Sequence, residues 1–96
     1  MKVIAIASPK TALTPELLKP HMPKEVPHTL QLYLEGKIEQ FWFREKFGPI
    51  FLMNAASVEE AKATLDTMPL VAANLMSYEL MPVGPLVPLG RLIEGH

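Results

Sequence analysis

Apolar residues cluster in four short segments whose length is typical of β-strands. The first, Val3 to Ala7, is rich in β-branched residues and ends at Ser8-Pro9. The other three cover Lys37 to Glu45, Ile50 to Asn54 and Leu75 to Val83. Short apolar runs bounded by Gly, Pro or polar residues predict strands, so we expect four of them.

The segment between the first two strands predicts helix interrupted by proline. The sequence Thr14 to Glu16 offers a capping threonine, a proline suited to the first helical position and an acid in the first turn. We expect a short helix there, a break near Pro20 to Pro23, and a second helix from about Lys24 to Glu35. Pro27 is compatible with that helix only in its first turn, because an interior proline removes a hydrogen bond. Gly36 is expected just past the helix end.

A further helix is predicted after the third strand. Ser57 and Glu60 form an S-x-x-E capping box, and apolar residues then recur at helical spacing at Val58, Ala61, Leu65 and Met68. Pro69 is expected to end this helix. The resulting order, β-α-β-β-α-β, predicts an α+β, ferredoxin-like fold with a four-stranded antiparallel sheet. We expect one domain over residues 1–96.

The predicted strands are apolar on both faces. In the second strand, strict alternation puts Ile38, Gln40, Trp42 and Arg44 on one face and Glu39, Phe41, Phe43 and Glu45 on the other. Two helices cover only one face of a four-stranded sheet, and monomers rarely expose a large apolar patch. We therefore expect a homodimer that packs sheet face to sheet face, with assembly into larger oligomers open.

The last residues of the chain, 84–96, are rich in Pro and Gly yet strongly apolar. This composition predicts an extended tail without regular structure. Because a free apolar tail promotes aggregation, we expect it to dock on the core of its own protomer or on the partner.

The composition narrows the classes of function. Hydrophobic residues make up 49% of the 96 residues and charged residues 20%, which for so short a chain favours an interface or a ligand pocket. The formal net charge of −1 argues against nucleic-acid binding. Cysteine is absent, which removes disulfides and thiolate chemistry.

The N-terminal run "VIAIA" is too short for a signal peptide, and no segment has the length of a membrane span, so we expect a cytoplasmic protein.

Three stretches resemble a known family. "YLEGKIEQFWFRE", "PIFLMNAASVEEAKATLDTMPL" and "YELMPVGPL" are similar to the muconolactone isomerase-like branch of the dimeric α+β barrel proteins. The resemblance implies a barrel built from two protomers, with a small-molecule cavity between each sheet and its helices. It also implies the activities found in such families, which are ring isomerases, polyketide cyclases and cofactor-free oxygenases. The fold does not choose among them.

Two histidines are candidates for proton transfer. His21 and His28 lie seven residues apart around "HMPKEVPH", and a neutral imidazole can shuttle a proton near neutral pH. Glu25 precedes His28 by three residues and is a candidate to orient it. The alternative is a surface histidine that makes only a local contact. We expect no metal site, because no third ligand stands at a recognisable spacing.

Gln40, Trp42 and Arg44 form a candidate substrate-binding set on the second strand. A guanidinium can hold a carboxylate or an enolate while the indole packs on the carbon skeleton, and the resemblance includes the same Trp-x-Arg step. The alternative is that Trp42 belongs to the dimer core and that Arg44 forms an ion pair at the strand end.

Glu25, Tyr33 and Glu79 complete the candidates. A carboxylate in an apolar pocket has a raised pKa and can accept a proton alpha to a carbonyl. Tyr33 is a candidate donor to an oxyanion, although a tyrosine of this kind is more often core. Glu79 is a candidate contact to substrate or simply a solvated strand residue.

The sequence favours a cofactor-independent enzyme of the isomerase or cyclase type. It would act by proton transfer on an unsaturated carbonyl compound, a lactone or a polyketide-like molecule, with His28 or Glu25 as base and Arg44 holding the anion. One alternative is a non-catalytic protein that binds an apolar small molecule, and another is a cofactor-free monooxygenase.

Overall fold

The computed structural model describes residues 1–84. The predicted docking of the tail concerns residues that, except for Gly84, lie outside this range. The described elements are β1 (Lys2–Pro9), α1 (Pro15–Leu18), α2 (Met22–Leu34), β2 (Ile38–Trp42), β3 (Ile50–Asn54), α3 (Val58–Asp66), α4 (Pro69–Ala72) and β4 (Met76–Val83). None of the helices in this part of the chain has the length and apolarity that a membrane span requires.

The four strands form one antiparallel sheet in the order β2-β3-β1-β4. Strand β1 is central, so that Ala5 lies opposite Phe51 of β3 on one side and Leu80 of β4 on the other. This order, with helices after β1 and β3, is that of the ferredoxin-like α+β fold. The predicted fold class is therefore confirmed.

Helices α1 and α3 begin where their caps predict. The Thr14 hydroxyl accepts a hydrogen bond from the Leu17 amide at the start of α1, and the Ser57 hydroxyl accepts one from the Glu60 amide at the start of α3. Pro69 opens the short helix α4, which the sequence did not predict, after α3 has ended at Asp66.

The expectation that Pro27 stands in the first turn of its helix is wrong. Helix α2 begins at Met22, so Pro27 lies in the second turn, and Pro23 occupies the second helical position. Pro27 has no N–H to donate to the carbonyl of Pro23. Both prolines are exposed, so water can hydrogen-bond that carbonyl and the helix continues.

The core fills the space between the helices and one face of the sheet, which we call the inner face. Its buried members come from β1, β2, β3, α2, α3 and the α3–α4 link: Val3, Ala5, Leu32, Ile38, Phe51, Met53, Ala61, Leu65 and Met68. The opposite face, which we call the outer face, presents Ile4, Ile6, Ile50 and Leu52, all partly exposed, beside the more exposed Trp42 and Met81.

A β-bulge in β2 corrects the face assignment made from strict alternation. Ile38 lies opposite Met53, but the register shifts before Gln40. The extra residue brings Phe41 onto the inner face together with Ile38, while Gln40 and Trp42 lie on the outer face. The sequence interpretation, which put Ile38 on the face of Trp42, is wrong because a bulge changes the parity of every later side chain in its strand.

The turn between β2 and β3 packs closely on β1. Gly48 has φ +87° in this turn, and a Cβ built on it would lie 3.0 Å from both the Ala7 Cβ and the Met76 Cε. The Ala7 amide also donates to the Pro49 carbonyl at 3.1 Å. Gly36, after α2, has φ +79° but nothing within 4 Å of such a Cβ.

We expect Gly48→Ala to be much more destabilising than Gly36→Ala. Both substitutions put an alanine at positive φ, at a cost of about 1–2 kcal/mol. Only the first also forces Ala7 or Met76 to move, which adds about 1–3 kcal/mol. The free energy of unfolding in urea measures the difference, and equal losses would show that the turn does not pack against β1 in this way.

Candidate functional site

An apolar cavity lies between α2, the start of α4 and the end of β2. Its volume is about 290 Å³, near the lower end of the range for small-molecule sites. Aliphatic side chains of α2 and α4 form part of the wall, and Glu25 and Thr29 contribute polar groups. The aromatic residues that line it are Phe41, Trp42, Phe43, Phe51 and Tyr78. We call it the Glu25 cavity.

Glu25 joins α2 to α4 at the cavity wall. Its side chain is buried, with 7% of the residue surface exposed. Oε1 accepts a hydrogen bond from the Leu70 amide at 3.0 Å. Met68, the N-cap of α4, makes no side-chain cap, so Glu25 supplies the acceptor that this helix start needs. The other oxygen, Oε2, is buried and has no hydrogen-bond partner among the described residues.

This environment changes the acidity of Glu25. Burial raises the pKa of its carboxyl, because the charged form is poorly solvated in an apolar wall. The Leu70 amide and the charges of His28 and His21 oppose this shift without cancelling it. A carboxyl that is more basic than usual is suited to accept and return a proton.

Tyr78 is a cavity residue that the sequence analysis missed. It lies in β4 opposite Ala7, on the inner face, and its ring stacks on Phe51 with centroids 5.5 Å apart. Burial first, and then the charge of Glu25, raise the pKa of the Tyr78 hydroxyl far above its ordinary value. The hydroxyl therefore stays protonated and can donate. The parity of β4, which puts Tyr78 on the same face as Met76 and Leu80, was the available signal.

Arg44 lies in the turn after β2, outside the cavity lining. Its guanidinium donates to the backbone carbonyls of Ala7 at 2.7 Å, Gly48 at 3.2 Å and Phe47 at 3.3 Å. These bonds hold the turn against β1. Substrate binding by Arg44 stays a prediction.

Of the other predicted substrate contacts, only Trp42 reaches the Glu25 cavity. It pairs with Ile50 at the end of β2 and lies where the cavity meets the outer face. Gln40 and Glu79 belong to the outer face of the sheet and do not line the cavity.

The two histidines lie apart from the cavity lining. His21 is the N-cap of α2. His28 lines a separate groove between α2 and α3, where its Nε2 is 2.7 Å from the Thr67 hydroxyl. Tyr33 packs edge-on against Phe41 with ring centroids 5.5 Å apart, again outside the lining. The structure thus brings together Glu25 and Trp42 from the predicted set, and it adds Tyr78.

Metal binding has no support in the described part of the chain. Residues 1–84 hold no group of three His, Asp or Glu side chains close enough together to bind an ion.

The fold is shared with two solved enzymes. Muconolactone isomerase superposes with a TM-score of 0.71 at 19% identity, over 88% of this chain and 90% of that one. A 5-chloro-2-hydroxyhydroquinone dehydrochlorinase from Burkholderia phenoliruptrix AC1100, solved with 2,5-dihydroxybenzoquinone, superposes with a TM-score of 0.64 at 17% identity, over 88% and 94%. No protein-family model and no curated protein matches the sequence. The predicted resemblance is confirmed for the fold.

The raised pKa of Glu25 predicts a pH-dependent stability. A carboxyl whose pKa is higher in the folded than in the unfolded chain binds more protons when folded, so its ionisation lowers stability as pH rises above the ordinary value of 4.5. Glu25→Gln keeps an acceptor for the Leu70 amide and removes the ionisation. We expect the variant to gain stability relative to the wild type as pH rises, measured by thermal unfolding across pH.

The control is Glu35→Gln, on an exposed carboxylate at the end of the same helix, whose hydrogen bond from Gln31 lowers its pKa. This variant should lack the gain seen for Glu25→Gln. A wild-type protein that becomes more stable relative to Glu25→Gln as pH rises would contradict the assignment.

Proposed function

We propose that the protein is a small enzyme of the isomerase or cyclase type. It moves a proton on an unsaturated carbonyl compound bound in the Glu25 cavity, needs no cofactor, and acts in the cytoplasm. The observation that carries this proposal is the state of Glu25, whose side chain belongs to an apolar, aromatic cavity wall. One carboxylate oxygen is anchored by the Leu70 amide, and the other is buried with no hydrogen-bond partner among the residues that the structure describes.

The chemistry follows from Glu25 and Tyr78. The Glu25 carboxylate accepts a proton from the carbon alpha to the substrate carbonyl, and the electrons of the C–H bond move into a dienolate. The protonated Tyr78 hydroxyl donates a hydrogen bond to the developing oxyanion. The Glu25 carboxyl then returns the proton at the far carbon of the dienolate. The double bond has moved, and no net oxidation or reduction has occurred.

The two structural neighbours support this class of reaction. Their names describe an isomerase of a lactone and a dehydrochlorinase of a hydroxylated ring compound. Both act on small ring-derived molecules, the size that a cavity of about 290 Å³ accommodates.

The base in this proposal is Glu25 rather than His28. Both were candidates in the sequence, but His28 lies beside Thr67 in the groove between α2 and α3. Arg44 is replaced as the group that stabilises the anion, because its guanidinium binds the carbonyls of Gly48 in the turn and of Ala7 in β1. Tyr78, which lines the cavity, takes that part.

A non-catalytic binding protein is the second candidate. The predominance of aromatic and aliphatic side chains around the cavity favours it, because such a lining holds an apolar metabolite without any chemistry. A cofactor-free monooxygenase, which the resemblance also allows, would use the same cavity and consume oxygen.

We further propose that the protein is a homodimer formed through the outer face. The central positions of this face are the apolar residues Ile4, Ile6, Ile50 and Leu52, and all are partly exposed in the single chain. Polar residues such as Gln40 and Glu79 lie around them. A second copy related by two-fold symmetry would cover the apolar centre and leave the polar rim in water.

Proton exchange tests the enzymatic proposal. A panel of unsaturated lactones is incubated with the protein in D₂O, and loss of the signal of the alpha proton is followed by NMR. We expect Glu25→Gln to lower the exchange rate about 10²–10⁴-fold, and Tyr78→Phe, which keeps the ring on Phe51, to lower it about 10²-fold. Glu35→Gln is the matched carboxylate control.

Other outcomes of the same experiment assign the cavity differently. Loss of activity in His28→Ala with full activity in Glu25→Gln would show that the base is His28, in the groove between α2 and α3. Ligand retained in native mass spectrometry without exchange would favour the binding protein. Oxygen uptake with a quinol would favour the monooxygenase.

Sedimentation equilibrium at micromolar concentration tests the dimer. We expect the wild type to be dimeric and Leu52→Lys to be monomeric, because the new charge would be buried between two apolar sheets. Leu34→Lys is the control, since Leu34 is 78% exposed on α2 and lies away from the outer face. A folded wild-type monomer at this concentration would refute the proposed interface.

A further inference from the structure

We propose that His28 is a positioning residue for Glu25. Its hydrogen bond to Thr67 holds the segment between α3 and α4 against α2 and so keeps the Leu70 amide on the Glu25 carboxylate. This inference rests on the proposed function in that it takes Glu25 as the base, and it adds a second residue of α2 to that site.

Two hydrogen bonds join α2 to residues 67–70. The Glu25 carboxylate accepts from the Leu70 amide at 3.0 Å, and His28 Nε2 lies 2.7 Å from the Thr67 hydroxyl. Glu25 and His28 are about one helical turn apart on α2, and Thr67 and Leu70 have the same separation in the reverse order. The two bonds are therefore neighbours, and a shift of the segment at Thr67 also moves Leu70.

A third group fixes the direction of the bond between His28 and Thr67. The Thr67 hydroxyl lies 2.6 Å from the Thr64 carbonyl, which can only accept, so the single hydroxyl proton is donated there. The Thr67 oxygen is then the acceptor for the imidazole, and His28 Nε2 carries the donated proton. Because a second proton would bind at Nδ1, the bond does not depend on the charge of the ring.

The two bonds hold the end of one helix and the start of the next. Thr67 is the C-cap of α3, and Leu70 lies in the first turn of α4, whose N-cap Met68 makes no side-chain cap. The amides at a helix start need acceptors from elsewhere when the cap supplies none. Met68 is buried in the core, whereas Thr67 is exposed. The His28 bond therefore supports this segment on the side that the core does not reach.

The position of the Leu70 amide affects the acidity of Glu25. Burial raises the pKa of the Glu25 carboxyl, and the bond from the Leu70 amide is the largest of the effects that oppose this rise. Weakening that bond would raise the pKa further. The charges of His28 and His21 also lower the pKa. Removing His28 would thus change two effects at once, whereas a substitution at Thr67 changes the bond and keeps both charges.

Substitutions of Thr67 test the proposal. Thr67→Val removes the hydroxyl and keeps the branched shape, and Thr67→Ser keeps the hydroxyl. We expect hydrogen exchange of the Leu70 amide, followed by NMR in the full chain, to be about 2- to 10-fold faster in Thr67→Val. This change corresponds to about 0.4–1.4 kcal/mol, the size of one hydrogen bond. Thr67→Ser should keep the wild-type rate, and the Ala7 amide, which bonds to the Pro49 carbonyl, should be unchanged in both variants.

The pKa of Glu25 gives a second readout, measured by NMR titration of its carboxyl carbon. We expect a higher pKa in Thr67→Val than in the wild type or in Thr67→Ser, because the Leu70 amide is held less well. Once Thr67→Val is present, His28→Ala should add nothing to the rate of Leu70 exchange, since both substitutions break the same bond. The nitrogen chemical shifts of the neutral His28 ring should place its proton on Nε2.

Wild-type exchange of Leu70 in Thr67→Val would overturn the proposal, as would an unchanged or lower pKa of Glu25. Equal acceleration of the Ala7 amide, additive effects of His28→Ala and Thr67→Val, or a neutral ring protonated on Nδ1 would also overturn it.

These outcomes are separate from failure of the proposed reaction, because none of the measurements needs turnover. The expected changes at Leu70, together with full lactone exchange in Glu25→Gln, would refute Glu25 as the base and leave its positioning by His28 standing. Slow lactone exchange in Glu25→Gln, with wild-type Leu70 exchange in Thr67→Val, would do the reverse.

Discussion

The structure depends on one constraint: a sheet with two apolar faces is combined with helices that can cover only one of them. The inner face receives α2, α3 and α4 and becomes the core around Phe51 and Met53. The outer face keeps Ile4, Ile6, Ile50 and Leu52 partly exposed. Where α2 and the start of α4 meet the end of β2, the cover is incomplete, and the gap is the Glu25 cavity. The proposed dimer and the proposed site therefore have the same cause: the helices do not cover the whole apolar surface of the sheet.

One hydrogen bond connects the fold to the chemistry. The Glu25 carboxylate accepts from the Leu70 amide, which fixes α4 against α2 and satisfies the start of a helix that lacks its own cap. The second oxygen of the carboxylate is buried and has no hydrogen-bond partner within residues 1–84. Burying a carboxylate oxygen without a hydrogen bond costs free energy. Buried polar groups of this kind are more common at functional sites than in ordinary cores.

Local signals in the sequence predicted most of the fold. Thr14 and Ser57 each cap their helix because the hydroxyl that starts the helix and the amide that it binds are close in sequence. The bulge in β2 was not predictable in this way, because the register of Ile38 and Phe41 is decided by the pairing with β3, a separate segment. The sequence also excluded Pro27 from the second turn of α2, because an interior proline removes a hydrogen bond. On the exposed face of α2, water can replace that bond, so the helix contains Pro27 there.

The sequence by itself determined the order of the elements, the excess of apolar surface and the set of side chains able to transfer a proton or hold an anion. Only the tertiary structure decided which of these meet. It brought Tyr78 and Glu25 to the wall of one cavity. It engaged the Arg44 guanidinium with the carbonyl of Ala7 in β1, and the His28 ring with the Thr67 hydroxyl. The reason is physical: the chemistry of a side chain is local to its residue, whereas its burial, its partners and hence its pKa are set by segments far away in the chain.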